Sequence, residues 1–461
     1  MPESFDLIVI GAGSAARDGA MKAHREHGAR VAMTERTRWG GSCPNVACKP
    51  TKAYLVSADL VHDINTLAAT LGIEVGPARA DLAAVKARKE TLLTSQEQWV
   101  ENLQAAGITT FPGEATLVDA HTARVGDNEL KAERILIATV SRTAIPPVDG
   151  IEDVDWIDHI TALELTELPE SLLILGCGPV GLEFGQTFSR FGSKVTMVDG
   201  MDQIAARSDP DASAELAAAF EDEGIEVVTN AFVTSVRRVG DHVEAVLSPR
   251  DGSPERSVRV SSVLLASGRV PNVEELGLEA VGVEMTKLGI EVDEQLRTTV
   301  DGIWAAGDVT AIAQFTPVAQ YQARIAVMDM FGGEAAADYT VLPTAIFTDP
   351  ELAQLGLTED EAREQGFQPE TVRHALTDVQ RARYTDEKHG LYKLIFDGPT
   401  RLLLGVHVVA PNASDIVQGL AVAMKLGATV DDLAHAHHAF PTLGEGIKAA
   451  AEDAAKEAVK A

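Results

Sequence analysis

Positive charge is what this 461-residue chain has least of for its size: 39 Lys and Arg stand against 69 Asp and Glu, a formal net charge of −30. A surface of that sign repels phosphate backbones and anionic headgroups, so nucleic acid and membrane surfaces are not expected as partners. Cysteine is scarce too, and 3 residues cannot make a disulfide scaffold. Aromatics reach only 5% beside 38 glycines, the balance of an Ala/Gly-rich α/β chain. No uncharged apolar run approaches the roughly 18 residues of a membrane helix. The best stretch, from Leu172, is broken by glycines and by Glu183. The opening Met1-Pro2-Glu3-Ser4 lacks the basic start of a secretory signal, and the expectation is a cytoplasmic protein of about three domains.

Two βαβ patterns are present. Phe5 to Ile10 reads as an apolar strand ending in Gly11-Ala12-Gly13-Ser14-Ala15-Ala16, followed by a helical stretch to about His27 and a strand from Ala29 to Thr34. The pattern returns at Leu172 to Leu175, with Gly176-Cys177-Gly178-Pro179-Val180-Gly181, a helix to Phe191 and a strand from Lys194 to Val198. The first two glycines of such a turn let the backbone approach a pyrophosphate seated on the helix N-terminus, and the third position lets helix and strand pack closely. Each second strand ends in an acid, Glu35 and Asp199, placed to bind ribose hydroxyls. Two nucleotide sites are therefore expected. Between them, Asp81 to Ala106 reads as one charged amphipathic helix and Ile108 to Ile137 as short strands. From about Thr340 the pattern becomes an α+β layer.

The chemistry lies in Gly40-Gly41-Ser42-Cys43-Pro44-Asn45-Val46-Ala47-Cys48-Lys49-Pro50-Thr51-Lys52, which puts two thiols next to the first nucleotide unit. If the segment opens a helix, its amide dipoles with Lys49 and Lys52 favour thiolate, the form that disulfide exchange requires. A zinc site would need a second Cys pair, which the sequence lacks, and no metal site is expected. Cys177, in the second glycine turn, reads as a small packed residue.

These motifs, with Ser267-Gly268-Arg269-Val270-Pro271-Asn272, Ala305-Ala306-Gly307-Asp308-Val309-Thr310, the stretch from Phe347 to Thr358 and Phe440-Pro441-Thr442-Leu443-Gly444-Glu445-Gly446, run nearly the full length. Together they make the chain resemble the flavin-dependent pyridine nucleotide-disulfide oxidoreductases. The resemblance implies two Rossmann-like domains, for FAD and NAD(P)H, and a C-terminal α+β dimerisation domain in a homodimer. FAD would lie on Gly11, Gly13, Ser14, Ala16, Glu35, Gly41, Ser42, Lys52, Ala115, Thr139, Asp308 and Thr316. The nicotinamide would use Gly176, Gly178, Val180, Gly181, Glu183, Asp199 and Gly268. Cys48 would be the sulfur beside the flavin, Cys43 the outer sulfur that attacks substrate, and Lys52 with Glu183 the ion pair near the flavin. The implied domains are 1–146 for FAD, completed by 271–339, then 147–270 for NAD(P)H and 340–461 for dimerisation. Asp199, with Asp202 nearby, favours NADH by repelling an extra phosphate, while Arg207 keeps NADPH as the alternative.

The chain departs from the family pattern at one catalytic position. Disulfide reductases of the family carry a His directly before Pro-Thr and a Glu five residues later; here Phe440 holds the His position and Glu445 remains. Phenylalanine cannot protonate a departing thiolate. His438 or His437 is a candidate replacement. The expected function is transfer of electrons from NAD(P)H through Cys43 and Cys48 to a small-molecule disulfide or other thiol-reactive acceptor. The alternatives are reduction of a soft metal ion as in mercuric reductases, which also lack the His, and a carboxylase like 2-ketopropyl-coenzyme M oxidoreductase/carboxylase, which shares the Phe. A flavoprotein that senses or carries redox state for a partner is the reading outside catalysis. Against mercuric reduction, the C-terminal stretch has no Cys pair to deliver the metal, and a heavy-metal domain ahead of residue 1 is not expected. Val140, where the family usually has Gly, is expected to tighten the backbone.

Overall fold

The computed structural model describes residues 3–460; Met1 and Pro2 of the start discussed above, and Ala461, lie outside the described residues. The chain forms two compact units, one from Met1–Thr51, Arg88–Ala144 and Gly268–Asp338, the other from Lys52–Ala87, Ile145–Ser267 and Tyr339–Ala461.

In the first unit the strand Leu7–Ile10 is buried along its whole length, as a parallel strand covered on both faces must be. It lies in an all-parallel sheet ordered Ile303–Ala305, Ile135–Ile137, Leu7–Ile10, Val31–Glu35, Thr109–Pro112. The crossover is the helix Ser14–His27, whose Ala15, Ala16, Ala20 and Ala23 share a core with Ala319, Ala323 and Ala326 of the helix Thr316–Met330. Small side chains allow that approach. The crossover helix ends at Gly28 in the left-handed conformation, with His24, Arg25 and His27 in its last turn. A further sheet runs Glu3–Phe5, Asn128–Ala132, Thr122–Val125, Ala115–Asp119.

The second unit repeats the parallel arrangement, with Ser171–Leu175 between Lys194–Val198 and Ser262–Leu265 and with Glu226–Val228 outside. Its crossover helix Pro179–Phe191 buries Phe184 and Phe188. An antiparallel sheet of Ala231–Val239, His242–Pro249 and Arg256–Val260 follows. The C-terminal portion is an antiparallel sheet ordered Thr344–Ile346, Glu351–Gly356, Leu403–Ala410, Leu391–Asp397, Pro369–Ala375, sharing a core with the helices Ala413–Lys425 and Glu445–Lys460. The fold is thus α/β with parallel nucleotide-type sheets and an α+β dimerisation-type segment.

The single helix expected over Asp81 to Ala106 is instead two, Leu82–Leu92 and Gln96–Ala105. Ser95 explains the break: its side-chain oxygen accepts from the Gln98 amide, starting a new helix instead of continuing the old one. No helix among the described residues is long and apolar enough to cross a membrane.

Candidate functional site

The two glycine turns are built alike. Gly11 and Gly176 take φ of 105° and 109°, and a Cβ on either would stand 2.4 Å from a carbonyl oxygen, that of Ala138 or Ala266. Only glycine fits there. Each turn opens its helix at a glycine, Gly13 or Gly178, with no side-chain cap on the N-terminus, so the first-turn amides suit a phosphate. Ser14 and Val180 lie in those first turns, while the third motif position holds buried Ala16 in one and Gly181 in the other, where a Cβ would meet the Gly176 oxygen at 1.9 Å. The acid ending the next strand reaches back to the middle residue of each turn. Glu35 Oε2 accepts from the Ala12 amide at 3.1 Å, and Asp199 Oδ2 from the Cys177 amide at 2.6 Å. A nucleotide pyrophosphate with a ribose beside the acid fits both cradles.

The sulfur segment lies directly on the first cradle. Gly40 and Gly41 have φ of 92° and 73°, and a Cβ on Gly41 would stand 2.4 Å from the Gly13 Cα. The Asn45 amide donates to the carbonyls of Trp39 at 2.9 Å and Gly41 at 2.7 Å, and Gln96 donates to Asn45 at 3.3 Å. Cys43 stands in the turn Ser42–Asn45 and Cys48 opens the helix Cys48–Asn65. The Cys43 thiol is pulled down to about 6, first by its hydrogen bond with Cys48 and then by Thr316, Lys49 and Arg17, against burial that would raise it. A thiol lowered in this way favours the thiolate, the form that attacks disulfides. Thr316 Oγ1 is 3.8 Å from Cys48 Sγ, so one hydroxyl serves both sulfurs. Cys177 is the opposite case: burial, then the Asp199 charge, push its thiol above any physiological ionisation.

In the second unit Lys52 Nζ donates to both Glu183 carboxylate oxygens, at 2.7 and 2.6 Å, and lies 4.4 Å from the centroid of the Phe347 ring. Glu183 is only 6% exposed and also accepts from the Phe347 amide at 3.1 Å. Phe440 is 73% exposed. Glu445 accepts from the Thr442 amide at 2.9 Å, within its own turn, and His438 is half-buried in the segment preceding it.

The remaining candidates are placed as follows. Ala115 is buried at the start of its strand. Thr139 clasps Asn272, donating to its carbonyl at 2.6 Å and accepting from its amide at 3.0 Å. Asp308 accepts from Ser141 at 2.7 Å, with Arg269 Nε 3.9 Å away. Ser42 opens the turn that carries Cys43. Gly268, with φ of 130°, belongs to the first unit. Val140 takes a left-handed φ of 63°, which strains a β-branched residue, and its Cγ2 would stand 3.0 Å from a Cβ on Gly13. Asp202 and Arg207 are exposed. Sequence reasoning missed Arg17, Trp99 and Arg250, which donates to the Gly200 carbonyl at 2.8 Å beside Asp199, and took Phe347 only as the start of a motif. Arg17 directly follows the glycine motif, yet an Arg on an ordinary helix surface would read identically. Among the described residues no cluster of His, Cys, Asp and Glu could hold a metal ion.

Residues 5–323 match the family described as pyridine nucleotide-disulphide oxidoreductase, and residues 342–451 match its dimerisation domain. Mercuric reductase of Streptomyces lividans is 38% identical over 99% of this chain and 97% of its own length. Dihydrolipoyl dehydrogenase of Geobacillus stearothermophilus is 33% identical over 97% of this chain and 95% of its own. Among solved structures, the HOCl-induced flavoprotein disulfide reductase RclA from Escherichia coli matches with a TM-score of 0.85 at 29% identity, covering 97% of this chain and 99% of that one.

Proposed function

Because the chain belongs to the pyridine nucleotide-disulphide oxidoreductase family, flavoprotein enzymes that use FAD and a pyridine nucleotide, we propose that its Cys43–Cys48 pair carries reducing equivalents from NAD(P)H to a disulfide or other thiol-reactive acceptor. The observation that carries this reading is the Cys43 thiol, lowered to about 6 and hydrogen-bonded to Cys48, in a segment whose Gly41 backbone packs on Gly13 of the first glycine cradle. FAD, when bound, would supply the two-electron redox chemistry between the reduced nicotinamide and the cysteine pair.

The chain's own residues do the rest. The amides opening the helix Ser14–His27 would hold the FAD phosphates, with Glu35 on the adenosine ribose and Asp308 on the ribityl chain; the second cradle and Asp199 would hold the nicotinamide nucleotide. Asp199 and Asp202 favour NADH over NADPH. Lys52 and Glu183 are assigned as the fixed ion pair that serves the flavin. In the reductive step the disulfide bond breaks and two thiols form. In the acceptor step Cys43 thiolate attacks one acceptor sulfur and expels a thiolate; Cys48 then attacks the Cys43 sulfur, expels the second thiolate and restores the disulfide. Phe440 offers no proton to either leaving group, so disulfides of weakly acidic alkyl thiols turn over slowly. The reading assigns 1–146 with 271–339 to FAD, 147–270 to the nicotinamide and 340–461 to a homodimer interface, where Leu426, Val422 and Phe440 are exposed apolar residues.

Steady-state NADH oxidation across a panel of disulfides, before and after Cys43→Ser, tests the proposal: turnover lost in the variant supports it, and acceptor reduction that survives Cys43→Ser refutes it. Mercuric reductases among the relatives favour a second reading, in which a soft metal ion is the substrate. Mercury-dependent NADH oxidation exceeding that with every disulfide would select it.

A further inference from the structure

Lys393 is a lysine in the middle of a sheet. Its strand, Leu391–Asp397, is buried along its whole length, and Lys393 itself is 2% exposed. Gln354, His407, Lys393 and Arg373 lie directly opposite one another on four neighbouring strands, a polar row across the C-terminal antiparallel sheet. The Lys393 ammonium meets three carboxylates, Asp209 at 2.8 Å, Asp211 at 2.6 Å and Glu359 at 2.8 Å. Asp209 is buried as deeply. An apolar side chain in such a place often stabilises a fold as well as a buried ion pair does, so stability alone does not account for the charge. What the ion pairs add is a fixed position.

The segment they fix is 203–209, which runs from the second glycine cradle to the helix Pro210–Asp222. At one end the Ala205 amide donates to the Cys177 carbonyl at 2.8 Å. Cys177 is the middle residue of the glycine turn, and its amide is held by Asp199 at 2.6 Å. At the other end one Asp209 oxygen caps the helix, accepting from the Asp211 amide at 3.0 Å, while the other takes Lys393. Between the two ends Gln354, from the same polar row, donates to the Arg207 carbonyl at 3.3 Å, and the Ser213 hydroxyl donates to the Ile204 carbonyl. The segment is a strap, tied to the cradle at Cys177 and to the sheet by Lys393 and Gln354. Amides aimed at a phosphate bind it well only when something holds them in place before it arrives.

We propose that Lys393 is a positioning residue for the pyridine nucleotide: through Asp209 it holds the strap that fixes the Cys177 peptide, and so preorganises the second cradle for the nucleotide pyrophosphate. The proposal rests on the assignment of that cradle to the nicotinamide nucleotide. Lys393 touches none of the glycine-turn residues, so it acts on nucleotide binding and leaves the later electron steps alone.

The test is calorimetric titration of oxidised holoenzyme with ADP-ribose, the nucleotide without its nicotinamide, beside KM and kcat for NADH. Lys393→Met removes the charge at similar length, and Asp209→Asn keeps a good capping residue while giving up the ion pair. Arg401→Met breaks the Arg401–Asp431 pair, 2.8 Å long in the same unit, and serves as the control for lost stability. Lys393→Met and Asp209→Asn should each weaken ADP-ribose by at least about tenfold, the equivalent of one hydrogen bond to a charged phosphate. KM for NADH should rise alike while kcat stays near wild type, and Arg401→Met should melt earlier yet bind as wild type. Where Lys393→Met does not fold, Asp209→Asn and Gln354→Leu make the same comparison. Unmoved ADP-ribose affinity with melting lowered as in Arg401→Met overturns the proposal, and so does a fall in kcat with affinity kept. A wild type that binds no ADP-ribose would remove the nucleotide assignment and the proposal with it. Tight binding with no opening of the cysteine pair by NADH would sink the proposed function alone.

Discussion

Replacing Glu183 by Gln removes a buried charge while keeping the shape of the side chain, and the contacts of Glu183 set what that costs. Its carboxylate receives Lys52 at 2.7 and 2.6 Å and the Phe347 amide at 3.1 Å while only 6% exposed. Breaking a fully buried pair by removing one partner costs about 3–5 kcal/mol. The Lys52 side chain is 35% exposed, and its ammonium keeps the Phe347 ring at 4.4 Å. Those two facts halve the expected loss to about 2 kcal/mol for Glu183→Gln, in which the amide oxygen still accepts from Phe347. Glu183→Ala orphans the Phe347 N–H as well and adds about 1–3 kcal/mol. Urea unfolding of holoenzyme, with Lys52→Met and both double variants, measures this. The ordering wild type, Glu183→Gln, Glu183→Ala, with a coupling energy of about 1–2 kcal/mol between positions 52 and 183, is expected. Strict additivity, or a Gln variant as stable as wild type, would refute the reasoning.

Phe440→His should raise kcat/KM for alkyl disulfides by at least about tenfold, a modest part of the 10²–10⁴ that general-acid help supplies; unchanged rates would show that acid catalysis is not the limit. Val140→Gly should stabilise the protein by about 1 kcal/mol, because glycine adopts φ of 63° without the strain a β-branched residue bears; a lower midpoint in thermal melting would contradict this. Glu387 is pushed up to about 7, by burial first and then by the charges of Asp349, Asp63 and Asp386. Its folded value lies above its unfolded one, so the native state holds the extra proton and the contribution is full below about pH 4.5, then fades as pH rises through 7. Glu387→Gln should therefore gain about 1–3 kcal/mol over wild type at pH 8 and little at pH 5; a difference constant across that range would count against it.

The architecture was legible because it rests on local signals: fully apolar strands, glycine turns and an acid at a fixed distance read the same in sequence and in space. The break at Ser95 was not, since a charged amphipathic pattern runs through it and only the cap to Gln98 shows where one helix ends. At the candidate site, the cysteines and glycines announce themselves by spacing. Arg17 and Trp99 are 82 residues apart and carry no motif; only the fold stacks the guanidinium on the ring. Val140 was visible as an unusual residue, but its left-handed backbone is a property of the folded turn.

The central claim is that two sulfurs, Cys43 and Cys48, exchange a bond for reducing equivalents supplied by a nicotinamide. Anaerobic titration of the oxidised holoenzyme with NADH, with thiols counted by alkylation and peptide mass, tests it most directly. The first equivalent should convert both Cys43 and Cys48 to alkylatable thiols together, and Cys48→Ser should gain none. Flavin bleaching with neither cysteine becoming alkylatable would contradict the account.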